Sequence, residues 1–246
     1  MAGQFGRRSL IVNADDFGMS AGVNRGIIEA HCRGIVTSTS LMVRWGAAAE
    51  AVRLSRDCPR LGLGLHVDLG EWTYRDGDWM ALYEVVSLRN RDEVLREVTR
   101  QLDLFRDLTG RNPTHLDSHQ HAHREEPVRS IMMDLAQHNS IPLRHFSPRI
   151  NYCGAFYGQA ANGTPYPEGI STSSLLRVLA ELSPGVTELC CHPGLDDNLQ
   201  TMYCHERFEE VKTLCDESVS SAIRDQEIEL CCFNDLAPAQ LAGDRA

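Results

Sequence analysis

The chain has 246 residues, of which 42% are hydrophobic, and carries a formal net charge of −10. That length supports one large domain or two small ones, with a core of ordinary size. The acidic balance argues against a nucleic-acid partner and against an anionic membrane surface, since both are bound through lysine and arginine.

Short apolar runs alternate with longer helical patterns from end to end. The first run, SLIVNA at 9–14, reads as a buried strand that leads directly into Asp15 and Asp16. A helix follows, with Ser20 as its N-cap and Gly34 as its stop. IVTSTSLMV at 35–43 is β-branched and strand-like, and GAAAEAVRLSRDC is helical up to Pro59. LGLGLHVDL at 61–69 is a third strand. An irregular, tryptophan-bearing stretch, GEWTYRDGDWM, reads as a lid loop. RDEVLREVTRQLDLFRDLTG then has helical periodicity closed by Gly110. PTHLDSHQH begins as a strand, EPVRSIMMDLAQHN is a helix with Pro127 early in it, and PLRHF is a weak strand. Further on, SSLLRVLAEL and HERFEEVKTLCD are helical, while VTELCCHP and EIELCCF are strands.

This rhythm predicts one α/β domain over 1–246, with 1–8 and 238–246 as peripheral tails. The sheet should be mostly parallel, and about seven βα units favour a closed or nearly closed barrel. NADDFG stands where a dinucleotide fold would carry a glycine-rich GxGxxG. Residues 1–8 lack the apolar stretch of a secretory signal, and no run reaches the roughly 18 apolar residues of a membrane span. The nine cysteines include no CxxC, so the expectation is a cytoplasmic protein with reduced, buried thiols.

The residues able to do chemistry sit at strand ends, which share one face in parallel α/β folds. Asp15 and Asp16 follow the first strand, Arg44 and Trp45 the second, and His66 ends the third. His115, Asp117, His119, His121 and His123 crowd the fourth, and His192 ends a later one. Histidines mixed with carboxylates form a ligand set for a divalent metal. Spacing alone does not choose between His119 and His123. Asp117 suits an acceptor that fixes a ligating histidine. One early aspartate would bind the metal while the other acts as a general base, and His192 could protonate a leaving amine. Trp45, Trp72, Trp79 and Tyr74 offer aromatic faces for a sugar.

LIVNADDFGMSAGVNRGIIEA, GIVTSTSLMV, GLGLHVDL, PTHLDSHQHAH, AFYGQ and CCHPG together resemble the YdjC-like carbohydrate deacetylases, the family of the chitooligosaccharide deacetylases. The resemblance runs through nearly the whole chain in order. It implies a distorted TIM-like (β/α) barrel, often homodimeric. The implied activity is metal-dependent hydrolysis of an N-acetyl group from an amino sugar. It further implies Asp16, His66 and His119 as metal ligands, Asp15 as general base and His192 as general acid. One divalent ion is expected, either zinc, magnesium or another transition metal. Arg44, Trp45, Trp72, Asp117 and His123 are the expected substrate-binding residues. Arg44-Trp45 replaces an Asn-Gly type pair of the family, which suggests recognition of an anionic group. Gln120 stands where the family often has a further histidine. Two other readings compete: a metal-dependent phosphoesterase and a sugar-binding barrel without turnover.

Overall fold

The computed structural model describes residues 6–75, 77–195, 199 and 201–236. Of the two expected tails, 1–5 and 238–246 lie outside the described residues, and Arg8 already belongs to the first strand.

Seven parallel strands form the main sheet. They are β1 (Arg8–Phe17), β2 (Ser38–Leu41), β3 (Gly62–Val67), β6 (Leu116–Ser118), β7 (Ile150–Cys153), β8 (Gly185–Cys191) and β9 (Glu229–Leu230). Their order is β6-β3-β2-β1-β8-β7, with β9 beside the start of β1. Between β3 and β6 a hairpin of β4 (Gly70–Arg75) and β5 (Asp78–Glu84) replaces the expected lid loop. Helices α1 (Ala21–Arg33), α2 (Ala48–Arg56), α3 (Arg91–Thr109), α4 (Val128–Asn139), α5 (Thr172–Ala180), α6 (Glu206–Leu214) and α7 (Glu217–Asp225) alternate with the strands. The sheet curls into a half-barrel rather than a closed one. PLRHF forms no full strand. Its Leu143 makes a single parallel bridge to Leu116, and Arg144 N–H donates to the Leu116 carbonyl at 3.0 Å.

Local chemistry explains most of these boundaries. The Ser20 hydroxyl accepts from Val23 N–H at 3.0 Å and starts α1. Gly110, at φ 72°, ends α3 in the left-handed conformation that glycine adopts without strain. No described helix is long and apolar enough to cross a membrane, and no disulfide forms among the described residues.

Strand alternation positions the site. Along β1, Leu10, Val12 and Ala14 face the main core beneath the helices. Ile11 faces the inside of the curl, in a small cluster with Val186, Cys231, Phe233 and Leu236. The same inward rows then turn polar towards the C-terminal strand ends. On β1 they continue through Asn13 to Asp15, and on β8 through Glu188 and Cys190 to His192. The barrel floor is thus apolar and its mouth ionisable.

Gly64 lies on this floor. A Cβ there would sit 2.4 Å from the His115 ring, which is stacked on Phe233 at 3.9 Å and has nowhere to go. Gly64→Ala is therefore expected to destabilise the fold by about 1–3 kcal/mol, the usual penalty for overpacking. A urea-unfolding midpoint equal to that of the parent would contradict this.

Candidate metal centre and active site

Asp15 and Asp16 are adjacent, yet both reach the same imidazole. Asp16 Oδ1 lies 3.3 Å from His66 Nε2, and Asp15 Oδ2 lies 4.0 Å from His66 Nδ1. Neighbouring side chains of a regular strand would diverge. Here the register between β1 and β2 shifts between Ala14 and Phe17, and Asp16 takes a φ of 70°. That left-handed residue turns the second carboxylate back towards the first.

Asp16, His66 and His119 form a compact, fully buried trio. His119 Nδ1 donates to Asp16 Oδ1 at 3.1 Å, and His66 Nδ1 donates to Asp117 Oδ1 at 2.7 Å. The second bond leaves Nε2 of His66 facing Asp16, as a ligating histidine requires. Arg207 Nη2 holds the other oxygen of Asp16 at 2.6 Å. Burial would raise the Asp16 carboxyl, but the charge of Arg207 and the bonds from both histidines hold it well below the usual carboxylate range. Burial would lower His119, yet its hydrogen bond to Asp16 and the Glu71 carboxylate 3.7 Å from Nε2 carry it up to about 9. A divalent cation would take the place of these ring protons. One carboxylate and two imidazoles on three separate elements therefore fit such an ion.

Asp15 is anchored differently. Arg144 grips it with two bonds of 2.7 Å, and Asn13 Nδ2 donates to it at 2.9 Å. Burial would raise this carboxyl too, but Arg144 keeps it well below the usual range and hence ionised. The same guanidinium reaches Asp117 at 2.9 Å and Glu188 at 2.7 Å. His192 Nε2 lies 3.9 Å from Asp15 Oδ2, with Tyr157 and Tyr203 packed about its ring. Burial pushes His192 down to about 4, so it is neutral around pH 7.

Asp15 is buried just behind His66 and His192, while Asp16, His66, His119, His192 and Arg207 line a cavity of about 430 Å³. Trp72 and Trp79 of the hairpin, Tyr152, Phe156 and Tyr157 line it. Other expected site residues lie elsewhere. Asp117 is wholly buried behind His66 and does not line the cavity. Arg44 and Trp45 both bond Asp68, at 2.7 and 3.1 Å, and border a separate depression. His123 is turned away from the trio, because Gln120 and His121 are both left-handed, at φ 47° and 54°. The strand that PTHLDSHQH begins thus stops at Ser118, and the histidines after it sit on a 3-10 turn with two left-handed residues.

Arg144, Arg207, Glu188 and Glu210 are missing from the sequence reading. Arg144 lies in the middle of PLRHF, a weak strand pattern that does not flag it. Arg207 and Glu210 lie on α6, whose pattern reads only as a helix.

Glu210 accepts the backbone N–H of His192 and bonds the Tyr203 hydroxyl. Burial raises it to about 8, so the folded chain holds a proton there that the unfolded chain releases near 4.5. Its stabilising contribution is complete below pH 4.5 and is lost as pH climbs towards 8. Glu210→Gln should accordingly flatten the decline in melting temperature between pH 5 and pH 8. Parallel profiles for the two proteins would refute the assignment.

Comparison with known proteins places the chain in a family. The profile of the YdjC-like protein family matches residues 9–225. A chitooligosaccharide deacetylase of Salmonella enteritidis PT4 is 34% identical, covering 93% of this chain and 99% of its own. The enzyme of that name from Serratia marcescens is 35% identical, over 92% and 98%. Among solved structures, a protein of Enterococcus faecalis V583, provisionally named for cellobiose-phosphate cleavage, superposes with a TM-score of 0.77. It is 28% identical, over 94% of this chain and all of its own. A Streptococcus mutans CE4 esterase shares the fold at a TM-score of 0.60 and 13% identity, over 93% and 87% of the two chains. With a family match spanning most of its length and relatives this similar end to end, the chain belongs to the YdjC-like protein family.

Proposed function

We propose that this protein is a divalent-cation-dependent carbohydrate N-deacetylase, releasing acetate from an N-acetylated amino sugar. The observation that carries the reading is the division of the aspartate doublet. Asp16 faces His66 and His119, while Asp15 stands beside them, ionised by Arg144 and within 4 Å of His192. The names of the Salmonella and Serratia relatives support the same chemistry.

Asp16, His66 and His119 would hold the cation, and two imidazoles with one carboxylate suit zinc or a similar transition metal. When bound, such an ion acidifies water and polarises the acetyl carbonyl. Asp15 accepts the proton of the attacking water at Oδ2. His192 is neutral, so the proton it hands to the departing amine at Nε2 must first reach it from the Asp15 side. Glu210 holds the His192 backbone N–H, and the two tyrosines pack against its ring. Trp72 and Tyr152 present aromatic faces on which the apolar side of a sugar can rest. A phosphoesterase finds less support. Among the described residues lining the cavity, Arg207 is the sole lysine or arginine, and it is committed to Asp16.

The decisive assay is acetate release from N-acetylglucosamine oligomers by the zinc-loaded protein, with and without chelator. Acetate that disappears on chelation is the expected result. Sugar binding without acetate, or phosphate release from a sugar phosphate instead, would overturn the reading.

A further inference from the structure

A second constellation stands beside the trio, with His121 lining the same cavity. His121 and His123, on the 3-10 turn at His119–Arg124, meet His145 from the segment after α4. A ring nitrogen from each of the three falls within 4.8 Å of the others. The centroid separations are 5.9 Å for 121–123, 5.3 Å for 121–145 and 5.5 Å for 123–145.

The disposition of the nitrogens carries the argument. His123 Nδ1 is bonded to the Ser118 hydroxyl at 2.6 Å, which leaves Nε2 buried and without a partner. His121 Nε2 is bonded to the Tyr152 hydroxyl at 3.1 Å, which leaves Nδ1 buried and without a partner. His145 Nε2 is likewise buried and unmatched. His123 itself has no exposed surface. A buried ring nitrogen without a hydrogen-bond partner is costly, and three in one place are not explained by packing. In His121 and His123 a hydroxyl orients one ring nitrogen and leaves the other unmatched, which is how a metal-ligating histidine is held.

We propose that His121, His123 and His145 form a second, all-imidazole transition-metal site, distinct from Asp16, His66 and His119. Three neutral imidazoles with no carboxylate select zinc, or copper, nickel or cobalt, over magnesium or calcium. Arg144 is the nearest buried cation, and its charge is met by Asp15, Asp117 and Glu188. Arg124 is exposed. The site has a structural use. Gln120, His121 and His145 are all left-handed, at φ 47°, 54° and 67°, and an ion tying the two segments would hold that strained turn beside His119. Two metals per chain would then not by themselves signal a phosphoesterase, since no carboxylate bridges this second group.

The test is zinc stoichiometry of the purified chain after saturation and gel filtration, read by elemental analysis. The parent should hold two zinc ions per chain. His123→Ala and His145→Ala should each hold one, and His66→Ala should also hold one by losing the other. A parent that saturates at one, or a His145→Ala protein that still holds two, would overturn the proposal. Should the variants fail to fold, an anomalous difference map from zinc-soaked crystals of the parent decides: a peak among the three imidazoles supports the site, and its absence removes it. The outcome for His66→Ala separately tests the Asp16 site, so the two assignments can fail independently.

Discussion

Asp15→Asn is expected to lower kcat for acetate release by roughly 10²–10⁴-fold, the range for loss of a general base. Zinc bound at Asp16, His66 and His119 should be unchanged. The amide keeps the shape but can accept only one of the two bonds from Arg144, so the variant should also lose stability, which its urea-unfolding midpoint reads separately from kcat. What it cannot do is accept a proton from water at the oxygen that now lies 3.9 Å from His192 Nε2. Asp16→Asn should behave differently, with activity falling because the metal is lost and Arg207 is left as a buried cation without its carboxylate. Measuring metal content and kcat on the same samples separates the two roles. If Asp15→Asn lost the ion while Asp16→Asn kept it, the roles of the doublet would be reversed.

The second large effect is on stability. Arg144 is fully buried and bonds Asp15, Asp117 and Glu188 at once. Removing one partner of a buried ion cluster costs about 3–5 kcal/mol, because the remaining charges stay desolvated. Arg144→Met should therefore lower the free energy of unfolding by about that amount, read from urea denaturation. Lysine is no substitute, since a single ammonium cannot reproduce a fork that grips three carboxylates. Arg144→Lys should recover only part of the loss. A Met variant within about 1 kcal/mol of the parent, the scale of an exposed pair, would show that the cluster is not strongly coupled to folding.

Much of this fold is legible in the chain because β1, β3 and β8 contain apolar runs and α1 and α3 carry explicit caps. Ser20 and Gly110 fall where hydrogen-bond chemistry places them. The trp-rich stretch misleads because alternation in GEWTYR is masked by polar residues at a partly exposed hairpin. PLRHF is faint because it makes one bridge rather than a ladder, although it delivers the central cation of the site. The site residues divide in the same way. Those at ends of strong strands, Asp15, Asp16, His66 and His192, converge as expected. The histidine run does not sort itself from spacing, since its two left-handed residues obey neither a period of 2 nor one of 3.6. Arg44 is held at a distance by Asp68 and Glu97, carboxylates that no local motif links to it.

The left-handed turn at Asp16 has an implication for how the site is acquired. The conformation that brings two neighbouring carboxylates to one imidazole is disfavoured in a free peptide, and here it is enforced by β2 on one side and Arg207 on the other. A fragment spanning the first strand alone would relax to an extended shape and scatter its acids. On the proposed function, affinity for the ion would be a property of the assembled half-barrel: it should appear only once α6 has docked, making occupancy of the centre a reporter of complete folding.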